Sequence, residues 1–229
     1  VNQLITKGII LSRIDYGEAD RIITLLTPDH GKLRLMARGV RKVKSKLAGG
    51  IELFSVSDIT FIQGRGEIGT LVSTRLVKHY SEIVKHIERV QLGYDLIKLL
   101  NKATEDNPET VYFDLLQQTF EALDDSSIEL ELIKAWFEAQ LLKEAGHAPN
   151  LQLDTTGQKL TIDQAYNFDY DSMAFALQDS GSFTAAHIKA LRLLFQQNIL
   201  ALKQVDGLLE VLPDVRGLVR TFAQTYLHH

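Results

Sequence analysis

Between His30 and Ile51 the chain carries seven basic side chains, Lys32, Arg34, Arg38, Arg41, Lys42, Lys44 and Lys46, and no acidic one. Ammonium and guanidinium groups at that density neutralise a polyanion, and a phosphodiester backbone is one that presents charge at short, regular intervals. The rest of the sequence runs the other way. The 229 residues hold 25 Lys+Arg against 29 Asp+Glu, a net of -4. Residues 1–80 hold 13 against 7, net +6, whereas residues 81–229 hold 12 against 22, net -10. A split of this kind predicts one module that meets a polyanion and a second with another task. The plainer reading is a solvated basic loop, because runs of one charge usually face water.

The elements that must position these cations read in twos over the first 80 residues. Segments 4–14, 21–27, 32–40, 53–63 and 68–78 are rich in aliphatic and β-branched residues. They are separated by turn signals such as Pro28-Asp29-His30-Gly31 and Gly64-Arg65-Gly66. Five strands with short connections predict a small closed barrel, which also hides strand edges; an OB-fold and an SH3-like barrel both fit the count. Lys32 and Arg34 then share the outer face of one strand, with Leu33 and Leu35 inward, and Arg38 continues that parity. Arg41, Lys42, Lys44 and Lys46 follow in a loop before Gly49-Gly50, and Arg65 adds a charge if its turn lies nearby. Tyr16, the aromatic residue placed to be exposed, either packs over the barrel mouth, the plainer reading, or stacks on a base; Phe54 and Phe61 have core positions.

After residue 80 the period becomes helical. Ile83, Ile87, Val90, Tyr94 and Ile97 are spaced for one helix face. Asn107-Pro108-Glu109 reads as a helix start, and Ser126 with Glu129 as a capping box for a helix through Trp136 to Gly146. Thr184–Ile199 and Pro213–His228 predict two further helices. Residues 147–183 interrupt this bundle with short strands and turns.

Other chemistry is poorly supported. The chain has no cysteine, which excludes disulfides and thiolate chemistry. Gly64-Arg65-Gly66-Glu67-Ile68-Gly69 matches the dinucleotide fingerprint GxGxxG, but that motif must open a helix, and the residues after it read as a strand. The seven histidines show no ligand spacing, and no nucleophile elbow or phosphate loop occurs. We expect no catalytic residue, cofactor, metal or small-molecule substrate. Composition is that of an ordinary globular protein, with no apolar run long enough to cross a bilayer.

Six strings then accumulate in order: DYGEAD (15–20), HGK (30–32), ARGVRK (37–42), SKLAGGIELF (45–54), GRGEIGTL (64–71) and GHAPNL (146–151). Together they resemble the bacterial RecO family of recombination mediators, densely over residues 4–80 and sparsely beyond. The resemblance implies an α+β protein with an N-terminal OB-fold (1–80) and a helical domain (81–229), the latter with a zinc-ribbon-like insertion at 147–183. It implies binding of single- and double-stranded DNA, annealing of complementary strands, and partnership with RecR. It also implies that the protein helps a recombinase replace single-strand-binding protein, in a cytoplasmic, nucleoid-associated setting. Many relatives of this kind carry four cysteines in the insertion; this chain has none, so we expect Phe168, Tyr170 and Phe175 to hold that segment without metal. A short basic tail is expected beyond His229. The acidic tail of single-strand-binding protein would meet the helical domain, with Lys189, Arg192, Arg216 and Arg220 as candidate contacts. An adaptor whose basic barrel engages an acidic protein, and never DNA, is the alternative.

Overall fold

A computed structural model of the chain describes residues 2–104 and 110–227. Contacts divide it into two compact units, residues 1–127 and 128–229.

In the first unit, alternating apolar residues form five strands: β1 (Leu4–Tyr16), β2 (Asp20–Thr27), β3 (Gly31–Ala37), β4 (Ser55–Ile62) and β5 (Ile68–His79). They close into a barrel in the order β1-β2-β3-β5-β4. Every neighbouring pair is antiparallel except β3 with β5, which run parallel over Arg34–Met36 and Ile68–Thr70. The crossover that lays β5 beside β3 makes this the five-stranded Greek-key barrel of the OB-fold and decides between the two barrels expected. Ile10, Ile23, Leu25, Leu35, Ile59, Phe61 and Leu71 fill the interior. Gly69 allows the closure: a Cβ there would stand 2.8 Å from Leu35 Cδ2. The GxGxxG string lies in the β4–β5 connection and opens a strand, not a helix.

Two helices complete this unit, α1 (Ile87–Ala103) and α2 (Val111–Asp124). The expected Asn107-Pro108-Glu109 helix start lies outside the described residues. The expected apolar face of α1 is corrected in part: Ile83 and Ile97 are buried and Val90 half-buried, but Ile87 and Tyr94 are exposed, and Leu92, Leu96 and Leu100 are buried in their place. Arg89 explains the rotation. It is buried, and its guanidinium donates to the carbonyls of Leu123 and Ser126, which fixes which side of α1 faces α2. Phe54, at a left-handed φ of 55°, packs edge-on against Tyr94 and Phe120, and Gly93 leaves room for its ring.

The second unit holds α3 (Leu130–Glu144), a sheet of β6 (Asn150–Asp154), β7 (Tyr166–Asp169) and β8 (Ala174–Leu177), then α4 (Ala185–Gln196), α5 (Ile199–Leu202) and α6 (Leu208–Tyr226). The Ser126–Glu129 capping box is absent. The helix begins at Leu130, no side chain caps it, and Asp125 instead accepts from the backbone and hydroxyl of Ser127. Nor does Pro213 open the last helix: α6 begins after Gly207, which is left-handed at φ 75°, and Pro213 sits in its second turn. Trp136 anchors α3 by donating to the Gln197 carbonyl at 2.9 Å.

The inserted segment forms a three-stranded sheet in the order β6-β8-β7. Phe168 lies 5.1 Å from Phe175, 5.2 Å from Tyr170 and 4.9 Å from Phe222 of α6, ring to ring. Edge-to-face aromatic packing of this kind supplies apolar burial in so small a sheet. Among the described residues no group of three or more His, Asp or Glu could hold a metal ion.

Two predictions test this packing. Gly50 backs onto Thr74, and a Cβ there would lie 2.3 Å from Thr74 Cβ. Gly50→Ala should therefore destabilise the barrel by about 1–3 kcal/mol in denaturant unfolding. Glu138, buried on α3, has a carboxylate oxygen with no hydrogen-bond partner among the described residues, and burial pushes its carboxyl above the ordinary value. Lys134, Arg216 and Arg220 oppose that shift only in part. A carboxyl with a raised folded-state value binds its proton more tightly in the native state, so stability falls as pH rises through that value. Glu138→Gln should raise the thermal midpoint at pH 8, and the gain should shrink toward pH 4.5; equal gains at both would be against it.

Candidate nucleic-acid interface

The outer face of β1, β2 and β3 is assembled by register. Ser12, Thr24 and Arg34 stand side by side in one row, and Ile14, Ile22 and Met36 in the next. Tyr16 and Asp20 pair in the row beyond. Because side chains alternate, all of these share the outer surface while Ile23, Leu35 and Ala37 fill the barrel. Ile14 and Tyr16 are more than half exposed, Arg34 is exposed, and Ile22 and Met36 are half-buried. The result is an aliphatic stripe bordered by Arg34 on one side and by Tyr16 on the other. The opposite end of the face is closed: Leu26, across from Lys32, is 1% exposed.

Beyond β3 the basic segment leaves the barrel as an arch with both ends sunk in the core. Val40 and Ile51 are buried there, and Leu47, Ala48 and Leu53 pack against the same cluster. The Thr74 hydroxyl donates to the Leu47 carbonyl at 3.2 Å. The other end is clamped to the β1–β2 turn. Asp20 accepts from the Gly39 backbone N–H at 2.7 Å, and the Arg41 N–H donates to the Ala19 carbonyl at 2.9 Å. Gly39 is left-handed at φ 64°, which ends β3 at Ala37. Arg38 therefore sits just past the strand, correcting the longer strand predicted.

The seven cations divide by partner. Lys32 Nζ donates to the Asn101 carbonyl of α1 at 2.8 Å, so it is a tether between barrel and helix. Arg41 lies 3.5 Å from Asp15, which also accepts from Arg21 at 2.7 Å. That hydrogen bond and the nearby Arg41 hold the Asp15 carboxyl below its ordinary value. Arg34, Arg38, Lys42, Lys44 and Lys46 are exposed and have no ion pair among the described residues. Elsewhere on the barrel several cations are matched, Arg13 with Glu52, Arg75 with Asp58, and Lys78 with Glu121 of α2, while Lys7 and Arg65 are exposed singly without an ion pair among the described residues. Five unneutralised charges in one stretch are thus a local concentration.

Arg65 is exposed in the β4–β5 connection. β5 starts alongside Arg34 and runs parallel to β3, so Arg65 stands at the strand end opposite the arch and is not brought to it. Two kinds of residue escaped the sequence: the stripe of Ile14, Ile22 and Met36, and the clamps Asp15 and Asp20. The stripe had a signal, since it shares parity with Tyr16 and Arg34. The clamps had none.

In the second unit, Lys189 is exposed and Arg192 half-buried, its Nε donating to the Leu151 carbonyl at 2.7 Å. Both line a cleft of about 260 Å³ with Leu160, Ile162, Ala185 and Ile188. Arg216 and Arg220 do not line it. Arg216 pairs with Glu131 on α3, and Arg220 is exposed on α6.

An OB barrel with an open, cation-edged face, followed by a helical unit with a small inserted sheet, defines a two-part OB protein. The pattern described as Recombination protein O N terminal matches residues 1–80, and that described as Recombination protein O C terminal matches residues 86–229. The chain belongs to the Recombination protein O family. A protein named DNA repair protein RecO from Dehalococcoides mccartyi is 34% identical over 148 residues, 64% of this chain and 58% of that protein. Proteins of the same name from Halalkalibacterium halodurans and Roseiflexus are 27% and 29% identical. Their matches cover 96% and 98% of this chain and 87% and 80% of those proteins.

The clamp itself is testable. Asp20→Ala removes the acceptor for the Gly39 N–H and should cost about 1 kcal/mol of stability. The amides of residues 39–47 should exchange with solvent faster than in the parent, while those of β4 hold their rate.

Proposed function

We propose that this chain is a non-enzymatic recombination mediator in DNA repair that binds single- and double-stranded DNA through the barrel. The single observation that supports this best is the set of five exposed, unpaired cations, Arg34, Arg38, Lys42, Lys44 and Lys46, beside an open OB face. Phosphates would take the places that carboxylates fill elsewhere on the barrel. The stripe of Ile14, Ile22 and Met36, with Tyr16 at its edge, offers bases an apolar surface that reads no sequence. Arg41, held by Asp15, and Arg65, at the far strand end, contribute less; Lys32 contributes through the fold.

Annealing follows from the same charges. Two strands neutralised along one surface repel each other less, so complementary segments meet more often. The partners in this reading are RecR and single-strand-binding protein, with recombinase loading as the outcome and the cytoplasm, at the nucleoid, as the place. The cleft edged by Lys189 and Arg192 suits an acidic chain end, as the tail of single-strand-binding protein would be. No helix among the described residues is long and apolar enough to cross a membrane.

Five phosphate contacts give a log-log salt slope of about -3.5 for single strands, so affinity for a labelled oligonucleotide should fall on the order of 100-fold between 50 and 200 mM salt. Arg38→Glu with Lys44→Glu should weaken binding at least tenfold and slow annealing in step, with the thermal midpoint unchanged. Binding that survives the double substitution would remove the assignment. Absence of any mobility shift at low salt would favour the adaptor that engages an acidic protein. Lys32→Met separates the tether from the interface: it should cost about 1–2 kcal/mol of stability and change affinity less than twofold.

A further inference from the structure

The tip of the basic arch is apolar. The Ser45 N–H donates to the Lys42 carbonyl at 2.9 Å, closing a turn whose central residues are Val43 and Lys44. Central turn positions favour Pro, Gly, Asn, Asp or Ser, because those residues fit the backbone or bond to it locally; a β-branched valine does neither. Nor does Val43 bury anything. It is 104% exposed, the most exposed large apolar residue among those described, and Lys42 and Lys44 on either side are exposed and without an ion pair. The arch below it is held at both ends, by Val40 and Ile51 in the core and by Asp20 at Gly39. The valine is therefore presented on a fixed support, next to cations that would meet phosphates.

We infer that Val43 is a wedge that enters a base step of duplex DNA, with Lys42 and Lys44 seated on the flanking phosphates. Apolar side chains of minor-groove-binding proteins separate stacked bases in this way, and the cost of unstacking is offset by the larger protein surface that the bent duplex then meets. The inference rests on the DNA-binding reading above and adds a consequence that charge alone does not give. A purely electrostatic arch would leave stacking intact; a wedge opens one step of the duplex where strands are to be exchanged.

The experiment uses the full chain and a duplex carrying 2-aminopurine, whose fluorescence is quenched by stacking, with anisotropy of a labelled copy followed in parallel. The parent protein should raise 2-aminopurine emission at least threefold at saturation. Val43→Ser should abolish the rise while weakening duplex affinity less than threefold, and Val43→Phe should restore it. Emission that stays quenched on the bound parent, or that rises equally with Val43→Ser, overturns the wedge while leaving DNA binding standing. A rise seen with the single strand alone also overturns it, because the step opened would not be one of a duplex. No anisotropy change with either form would instead bring down the binding reading, and the wedge with it.

Discussion

The structure of the arch depends on one constraint: its unpaired like charges, Arg38, Lys42, Lys44 and Lys46, are kept together mainly by apolar anchors and not by counter-charges of their own. Side chains of one sign repel, and an unattached segment would spread them. Here Val40 and Ile51 are buried in the barrel core, Leu47 packs against it, and Thr74 bonds to the Leu47 carbonyl. The hydrophobic burial that closes the barrel therefore also sets the spacing of the cations. Neutralising them internally would serve stability better and leave nothing for a polyanion to displace.

The matched cations elsewhere make the point by contrast. Arg75 and Asp58 face each other across β4 and β5, and Arg13 reaches Glu52. Surface pairs of that kind contribute little to stability, roughly 0–1 kcal/mol, yet they make those parts of the barrel electrically quiet. Asp15 and Asp20 have a double part. They lie at the strand ends that flank the β1–β2 turn, among the cations, but their charge is taken up by Arg21, Arg41 and the Gly39 amide, which orients the start of the arch.

Much of this was legible in the residues. The two-residue period gave five strands, the turn signals fell between them, and the parity of Lys32 and Arg34 put both outside the barrel. The order of the strands was not legible, because the β3–β5 pairing joins segments whose apolar patterns do not name a partner. Lys32 could not be told from Arg34, since its anchor, the Asn101 carbonyl, lies 69 residues away. Arg89 defeated the helical period for a similar reason: a buried guanidinium, satisfied by carbonyls at the end of α2, turns Tyr94 outward where an apolar count turns it in. Asp15 and Asp20 carried no signal of their own, because what they bind is set by tertiary closure.

The seam between β3 and β5 rests on three residue pairs, Arg34–Met36 with Ile68–Thr70, while the antiparallel seams are longer. A closed sheet loosens first where the fewest ladder bonds must break. That place lies at the flank of β3, and β3 supplies Arg34 and Met36 to the open face. Thermal breathing of the barrel would thus widen the very surface a polymer has to lie across, with the β1–β2–β3 meander left whole as its floor.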